Sequence, residues 1–386
     1  MGRPLKIAIL TTDNREHNGD YGHPVPYFGT APEALLQGFA EIGGAEIHVV
    51  SCTRQPVSSP EKIADNIWYH SLHVPKLGWM RTGFQGCIRA IRKKLKELQP
   101  DIVHGQGTER DCALSAVFSG FPNVLTIHGN IAELARLFGA RIGRYPWLAA
   151  RLENFALRRT AGVFCNSAYT EGLVRPRAQK VWRVPNALRR DFFAAAPATP
   201  GRSRFVLLNV GVISERKRQL ELLDVAQALH RQGLPFELHF IGRLNPADPY
   251  GAAFRERMKP LAAAGCVRHL GELSTGELIR QFDAAAGFVH FPSEEAFGLV
   301  VAEALARGLK FFGARLGGIV DIAEGVPGAE LLAGDDWAGL TATLAQWIQQ
   351  GHPRSVAAAQ IMRDRYAPDT IARRHLEIYR EVVGNS

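Results

Sequence analysis

The sequence predicts two parallel, doubly wound α/β domains in tandem. Three observations lead there. Short apolar runs alternate with segments of helical periodicity along the chain, which is the pattern of β-α-β units. Residues 194–201, AAAPATPG, break that alternation with an almost uncharged Ala/Pro/Gly stretch of linker character. The alternation then starts again. The length of 386 residues suits two domains. With 46% hydrophobic and 22% charged residues the composition is that of an ordinary globular protein, which excludes disorder, collagen and coiled coil.

Taken in order, LKIAIL at 5–10 reads as a buried strand, and residues 12–30 as a polar loop. Pro32 can open a helix that Ala34, Leu35, Leu36, Phe39, Ala40 and Ile42 continue at helical spacing and Gly43-Gly44 ends. AEIHVVS is the next strand. DIVHG (101–105), a small-residue helix near 111–118 and NVLTIHG (123–129) repeat the unit, and GVFCNS (162–167) and VWRVPN (181–186) add two strands. After the linker come the strand RFVLLNVG, a helix over 218–232, the strand FELHFIG, a helix over 251–263, the short strand VRHLG, a helix over 275–285, the strand GFVHFPS, a helix over about 298–307 and the strand LKFFGA. The predicted domains are 1–193 and 203–365, joined by a linker at 194–202, with a cleft expected between them. The amphipathic segment 366–386 is expected to pack back on the first domain.

Charge is uneven. Residues 1–190 hold 25 Lys/Arg against 15 Asp/Glu, a net of +10, whereas 191–386 hold 21 against 22. The first half should therefore favour an anionic partner. KLGWMRTGFQGCIRAIRKKLKELQ (76–99) pairs an amphipathic helix with Arg89, Arg92, Lys93, Lys94 and Lys96, preceded by Trp79, Met80 and Phe84 in a Gly-rich stretch read as exposed. Two readings stand: peripheral docking on an anionic membrane surface, or a domain helix with a solvated basic face. No nucleic-acid recognition motif accompanies the basic charge, so a nucleic-acid partner is not expected. No apolar run reaches the roughly 18 residues of a membrane span, and the first residues lack the pattern of a signal peptide. A cytoplasmic chain is expected. The five cysteines lie far apart with no metal-ligand spacing and are read as buried spectators.

Two segments carry chemistry. In PSEEAFGLVVAEALARG (292–308), Glu295 and Glu303 flank Phe297-Gly298-Leu299, where a helix should begin. Free N–H groups and the positive end of the helix dipole make that start an anion site suited to a diphosphate. A carboxylate inside the helix and one in the preceding loop can accept hydrogen bonds from sugar hydroxyls. Read without context, Glu303 could equally make a helix-face salt bridge and Glu295 a cap. In LNVGVISERKRQLELL (208–223), the strand ends at Gly211, and Arg216 and Lys217 stand near the start of the next helix, at the sheet edge where open α/β sheets bind ligands. In the first domain His128 ends a strand, Gly29 precedes the first helix, and Glu109 and Arg110 follow the strand at 101–105. There is no Walker A motif and no complete GxGxxG, so P-loop hydrolysis and ordinary dinucleotide binding lose support.

Together these residues resemble the retaining glycosyltransferases of family 4 (group 1). The resemblance runs through nearly the whole chain: the Gly29 loop, T-x-H at Thr126–His128, CNS at 165–167, VPN at 184–186, the Gly211–Lys217 loop and the E-x7-E of Glu295 and Glu303. It implies the GT-B fold, two Rossmann-like domains facing each other across a cleft. It further implies a nucleotide-sugar donor (UDP-, GDP- or ADP-linked) in the second domain and a hydroxyl acceptor, which could be lipid-linked, in the first. Glu303 would hold the ribose and Glu295 the transferred sugar. Gly211, Arg216, Lys217 and the amides of Phe297, Gly298 and Leu299 would hold the diphosphate, with Gly29 approaching the same phosphate. His128 would reach the sugar, and Glu109 and Arg110 are acceptor-side candidates. No metal and no other cofactor is implied. The setting would be bacterial polysaccharide, glycolipid or glycoconjugate synthesis. Where the family often has Arg directly after the diphosphate-loop glycine, this chain has Val212, with Arg216 four residues on. Two other classes fit the same fold: a non-hydrolysing nucleotide-sugar epimerase and a non-catalytic nucleotide-sugar-binding protein.

Overall fold

The computed structural model describes residues 3–194, 205–350 and 354–384. It divides into two compact units, Met1–Arg189 with Tyr366–Ser386, and Arg190–Arg365. The segment 195–202, most of the linker expected from the sequence, lies outside the described residues. The division falls before Arg190, not after residue 193. The turn Arg190–Phe193 is held by the second unit, where Arg307 Nη1 donates to the Phe192 carbonyl (3.3 Å) and the Arg363 guanidinium to that of Phe193.

The first unit is built on an eight-stranded sheet. Its strands are β1 (Leu5–Leu10), β2 (Ala45–Thr53), β3 (Lys62–Ala64), β4 (Ile67–His73), β5 (Ile102–Gln106), β6 (Asn123–Ile127), β7 (Gly162–Cys165) and β8 (Val181–Arg183), in the order β3-β4-β2-β1-β5-β6-β7-β8. All neighbours pair in parallel except β3 with β4, a short antiparallel hairpin that the sequence reading did not contain. Alternation along β1 shows how both faces are covered. Ile7 and Ile9 pack into one core cluster with Leu35 and Phe39, and with Leu376 and Tyr379 of the last helix (Pro368–Gly384). Ala8 and Leu10 enter the opposite cluster with Ile88, Ile91 and Leu95. The last helix crosses the helix Thr30–Ile42 so closely that a Cβ on Gly38 would lie 2.1 Å from the Pro368 carbonyl oxygen.

The loop after β1 is not simply polar. It contains the helix Asn14–Asn18, capped by Asp13. Arg15, fully buried, is ion-paired to Asp13 (2.7 Å) and also donates to the carbonyls of His23 and Ser58, while Tyr69 donates to the same Asp13 oxygen (2.6 Å). A buried ion pair satisfied this fully fixes the loop's conformation more than it adds net stability.

The second unit holds a six-stranded parallel sheet: β9 (Phe205–Val210), β10 (Phe236–Ile241), β11 (Val267–His269), β12 (Gly287–His290), β13 (Lys310–Ala314) and β14 (Ala329–Leu332), in the order β11-β10-β9-β12-β13-β14. In each sheet the chain first winds one way from the starting strand and then returns to wind the other way. The direction reverses between β1 and β5 in the first unit and between β9 and β12 in the second. Loops at such a reversal splay apart beyond the carboxyl ends of the strands and leave a crevice for ligand.

The basic segment 76–99 differs from its sequence reading. Trp79 and Phe84, taken as exposed, are buried, with Trp79 Nε1 bonded to the Val74 carbonyl (2.9 Å). Leu77 and Met80 remain exposed. The helix Gln85–Leu98 buries Cys87, Ile88, Ile91 and Leu95 in the core and leaves Arg89, Arg92, Lys93 and Lys96 outside. No helix among the described residues is long and apolar enough to cross a membrane. All five cysteines are free and buried. Far apart in sequence, Cys52 and Cys87 nonetheless come within 4.8 Å of each other and of Asp111, and burial there pushes the Asp111 carboxyl up.

Candidate active site

The reversal point of the second sheet brings together the two segments singled out in the sequence. After β9, Gly211 (φ 154°) turns the chain, a short 3-10 turn covers Glu215–Lys217, and Arg218 in the left-handed region leads into the helix Gln219–Arg231. The helix thus begins two residues later than Lys217. A Cβ on the neighbouring Gly242 would lie 2.1 Å from the Gly211 carbonyl oxygen, so the turns after β9 and β10 touch backbone to backbone. The Gln219 side chain pins the loop, accepting from Ser214 N (3.2 Å) and donating to the Val212 carbonyl (3.2 Å).

After β12, the loop Phe291–Gly298 meets the first loop directly. Ser293 N donates to the Arg216 carbonyl (2.9 Å), and Arg216 Nη1 to the Glu294 carbonyl (3.1 Å) and carboxylate (3.2 Å). The helix Leu299–Ala306 follows, with Gly298 at φ 98° as its N-cap, a residue with no side chain to cap the first turn. A second glycine pair holds this loop from below. A Cβ on Gly317 would stand 2.0 Å from the Glu295 carbonyl oxygen, and one on Gly318 2.4 Å from Phe297 Cα. Gly318 N donates to the Glu295 carbonyl (3.0 Å). The sequence reading missed this pair.

The centre of the site is a buried charge cluster. Glu295 Oε2 is ion-paired with Lys217 Nζ and accepts from His290 Nε2 (2.9 Å), and Arg216 Nη1 lies 3.9 Å from its other oxygen. The sequence reading gave Lys217 to the diphosphate and Glu295 to the sugar, whereas the fold joins them in one pair. Burial alone would push the Glu295 carboxyl up, but Lys217, the His290 hydrogen bond and Arg216 outweigh it and hold the group well below the usual carboxylate range. Burial pulls the Lys217 ammonium down, opposed by Glu295. His290 is pushed down to about 4, first by burial and then by Lys217. It is therefore neutral at pH 7, with Nε2–H donating to Glu295. Its Nδ1, like Glu294 Oε1, is buried and has no hydrogen-bond partner among the described residues. His290 was not found from sequence. Its one visible signal is a lone polar residue in the apolar strand GFVH, five positions before Glu295.

Glu303 is the single charge in the otherwise apolar helix LVVAEALA, and it is 5% exposed. A cavity of about 570 Å³, lined by Val212, Ile213, Ser214, Arg243, Asn245 and Tyr250 among others, opens beyond β9 and β10. Its size suits a small organic ligand.

In the first unit the acceptor-side candidates Glu109 and Arg110 follow β5 at the β1/β5 reversal, and His128 follows β6. His128 Nε2 is bonded to Gln106 Oε1 (2.9 Å), and burial pulls the imidazole down to about 4. Glu109 folds its carboxylate into the space left by Gly107 and Gly129. A Cβ on Gly107 would meet it at 2.2 Å and His128 Cδ2 at 3.5 Å. Burial, with the Glu153 charge nearby, pushes the Glu109 carboxyl up to about 7. Gly29 caps the helix Thr30–Ile42 at φ −60°, and a Cβ there would meet nothing closer than 3.8 Å. The fold itself therefore does not demand glycine at that position.

A parallel sheet whose reversal point carries an uncapped helix start beside buried, charge-paired carboxylates is the architecture of a ligand-binding α/β enzyme. The chain belongs to the family 4, group 1 glycosyltransferases: residues 33–192 match the Glycosyltransferase Family 4 domain and residues 204–350 the Glycosyl transferases group 1 domain. No curated protein matches the chain. Among solved structures it is similar to sucrose-phosphate synthase from Thermosynechococcus elongatus (TM-score 0.77, 16% identity, 99% of this chain and 100% of that one). It is also similar to HepE from Anabaena in complex with UDP-glucose (0.70, 15%, 97% and 99%) and to a glycosyltransferase from Rickettsia africae (0.68, 15%, 100% and 100%). At these identities the likeness shows the GT-B fold, two parallel-sheet α/β domains.

Proposed function

We propose that this glycosyltransferase moves a sugar from a nucleotide-diphospho-sugar to a hydroxyl acceptor with retention and without a metal. The observation that carries the reading is the Lys217–Glu295–His290 cluster at the reversal point, beside the uncapped start of the helix Leu299–Ala306. The helix start and Arg216 neutralise the diphosphate. Glu303 accepts from the ribose hydroxyls. Glu295, kept ionised by Lys217, accepts from hydroxyls of the transferred sugar, and His290 fixes its orientation. His128, neutral at pH 7, contributes a hydrogen bond and not a charge. With the leaving diphosphate stabilised by fixed donors, front-face attack lets the departing phosphate oxygen take the acceptor proton, so no separate base is required. The HepE structure in complex with UDP-glucose supports a nucleotide-sugar donor of this kind. A role in bacterial polysaccharide, glycolipid or glycoconjugate synthesis, with docking of the basic helix Gln85–Leu98 on an anionic membrane, fits the same reading.

A thermal-shift panel of UDP-, GDP- and ADP-sugars tests the donor assignment. A ligand at 100 times its dissociation constant stabilises by about 2.7 kcal/mol, enough to rank donors. If no nucleotide-sugar raises the melting temperature, the assignment fails.

A further inference from the structure

We propose that Arg54 and Arg110 form a clamp for a phosphoryl group carried by the acceptor, and that this clamp selects acceptors bearing one. The inference rests on the reading of the first unit as the acceptor side. Both residues belong to that unit, Arg54 directly after β2 and Arg110 in the loop after β5. These loops flank the loop after β1, because β1 lies between β2 and β5, and the sheet reverses between β1 and β5.

The two guanidinium groups share one platform. Arg54 lies 5.0 Å and Arg110 5.1 Å from the ring centroid of Trp79. The indole is 4% exposed and anchored through Nε1, so it is a rigid surface for two planar cations. Both approach one buried carboxylate: Glu16 Oε1 is 3.2 Å from Arg54 Nε and 3.5 Å from Arg110 Nη2. Neither approach has hydrogen-bond geometry, and Glu16 Oε1 has no hydrogen-bond partner among the described residues. Its other oxygen is occupied by the Tyr21 hydroxyl (2.8 Å) and the Arg54 backbone N–H (2.8 Å).

Two cations are therefore stacked and drawn together, yet neither guanidinium has a hydrogen-bond acceptor among the described residues, although each carries five N–H donors. The Arg54 side chain is 43% exposed and that of Arg110 22%. Glu16 faces both guanidinium groups, and the nearby Asp111, whose carboxyl burial pushes up, is the second acidic group within reach of Arg110's charge. A phosphoryl group, with several free oxygens, is the oxyanion that two forks can grip at once. Arg110 also follows Glu109, whose carboxylate reaches the surroundings of His128. An anion held by Arg110 would lie next to Glu109, the other acceptor-side candidate.

The test is calorimetric titration of the full chain with inorganic phosphate. Alongside it, titration with UDP, GDP and ADP reports on the second unit separately. Replacing Arg54→Lys and Arg110→Lys keeps the charge opposite Glu16, and so the fold, but removes the stacked forks. Each change is expected to weaken phosphate about tenfold, with nucleotide affinity unchanged. Glu16→Gln frees both guanidinium groups and is expected to tighten phosphate, an effect that a purely structural role would not produce. Unchanged phosphate affinity in the Arg54→Lys/Arg110→Lys double variant, or weaker binding in a folded Glu16→Gln variant, overturns the clamp. Failure of nucleotide binding in the unsubstituted chain would instead count against the donor reading and leave the phosphate result to stand on its own. Co-sedimentation with phosphatidylcholine vesicles, with and without phosphatidate, separates the sources of the phosphoryl group. Loss of phosphatidate-dependent binding in the double variant identifies a lipid phosphate. Retained vesicle binding with lost inorganic phosphate identifies a soluble phosphorylated acceptor.

Discussion

Replacing Lys217 by Met should raise the pKa of His290, the lone polar residue of the strand GFVH. The two nitrogens, Lys217 Nζ and His290 Nε2, are 3.5 Å apart and converge on the same Glu295 oxygen. A unit charge at that distance opposes protonation of the imidazole by about 1.2 kcal/mol at the dielectric constant of water and by about 4.7 kcal/mol at an effective constant of 20. At 1.36 kcal/mol per pH unit, removing the ammonium lifts His290 from about 4 to at least about 5. The retained hydrogen bond to Glu295 acts in the same direction. The sign carries over to stability. In the unsubstituted chain the unfolded state takes up this proton near pH 6.5 and the folded state only near 4, so stability falls as pH drops through that window. In Lys217→Met the window narrows. The assay is an NMR titration of labelled histidines, with His290→Asn to assign the resonance. Glu295→Gln is the control and should move His290 the opposite way. A His290 resonance that still titrates near 4 in Lys217→Met would refute the geometry of the cluster.

Four further outcomes are expected. Glu303→Ala should weaken nucleoside-diphosphate binding by about 1.5–3 kcal/mol in calorimetry, the size of one charge-assisted hydrogen bond. Gly318→Ala must displace the loop at Phe297 and should cost about 1–3 kcal/mol of stability along with donor affinity. A folded variant that binds nucleotide normally would show that the loop is not held by this contact. Activity should survive EDTA, and a strict, reversible requirement for Mg²⁺ or Mn²⁺ would contradict a diphosphate held by protein donors alone. Binding to anionic vesicles through the exposed face of Gln85–Leu98 should fall with rising salt. Equal binding to neutral vesicles would remove the electrostatic argument.

Much of this architecture could be read from local signals. LKIAIL, FELHFI and GFVH are short apolar runs bounded by turns, and buried parallel strands look like that regardless of context. Glu303 stands out as the one charge in LVVAEALA, and Gly298 as the cap of that helix. What stayed hidden depends on distant parts of the chain meeting. Asp13 and Arg15 look like a solvated loop until Tyr69 and Ser58 close over them. Trp79 beside Met80 in a Gly-rich stretch suggests exposure, yet two arginines from other loops cover it. Lys217 reads as a free cation because its carboxylate lies 78 positions away. Gly317-Gly318 reads as an ordinary turn until the loop at Glu295 presses on it. Local propensity marks elements, whereas buried charge pairs are properties of the tertiary fold.

Transfer to a hydroxyl acceptor is measured by the release of free nucleoside diphosphate from a nucleotide-sugar as a function of added acceptor. The donor is the one ranked first by thermal shift, and the anomeric configuration of the product is read by NMR. Release is expected to depend on acceptor, to be lost in Glu295→Ala, and to yield a glycoside of the donor's own anomeric configuration. A donor converted to its epimer with no acceptor present, or a product of inverted configuration, would contradict transfer with retention.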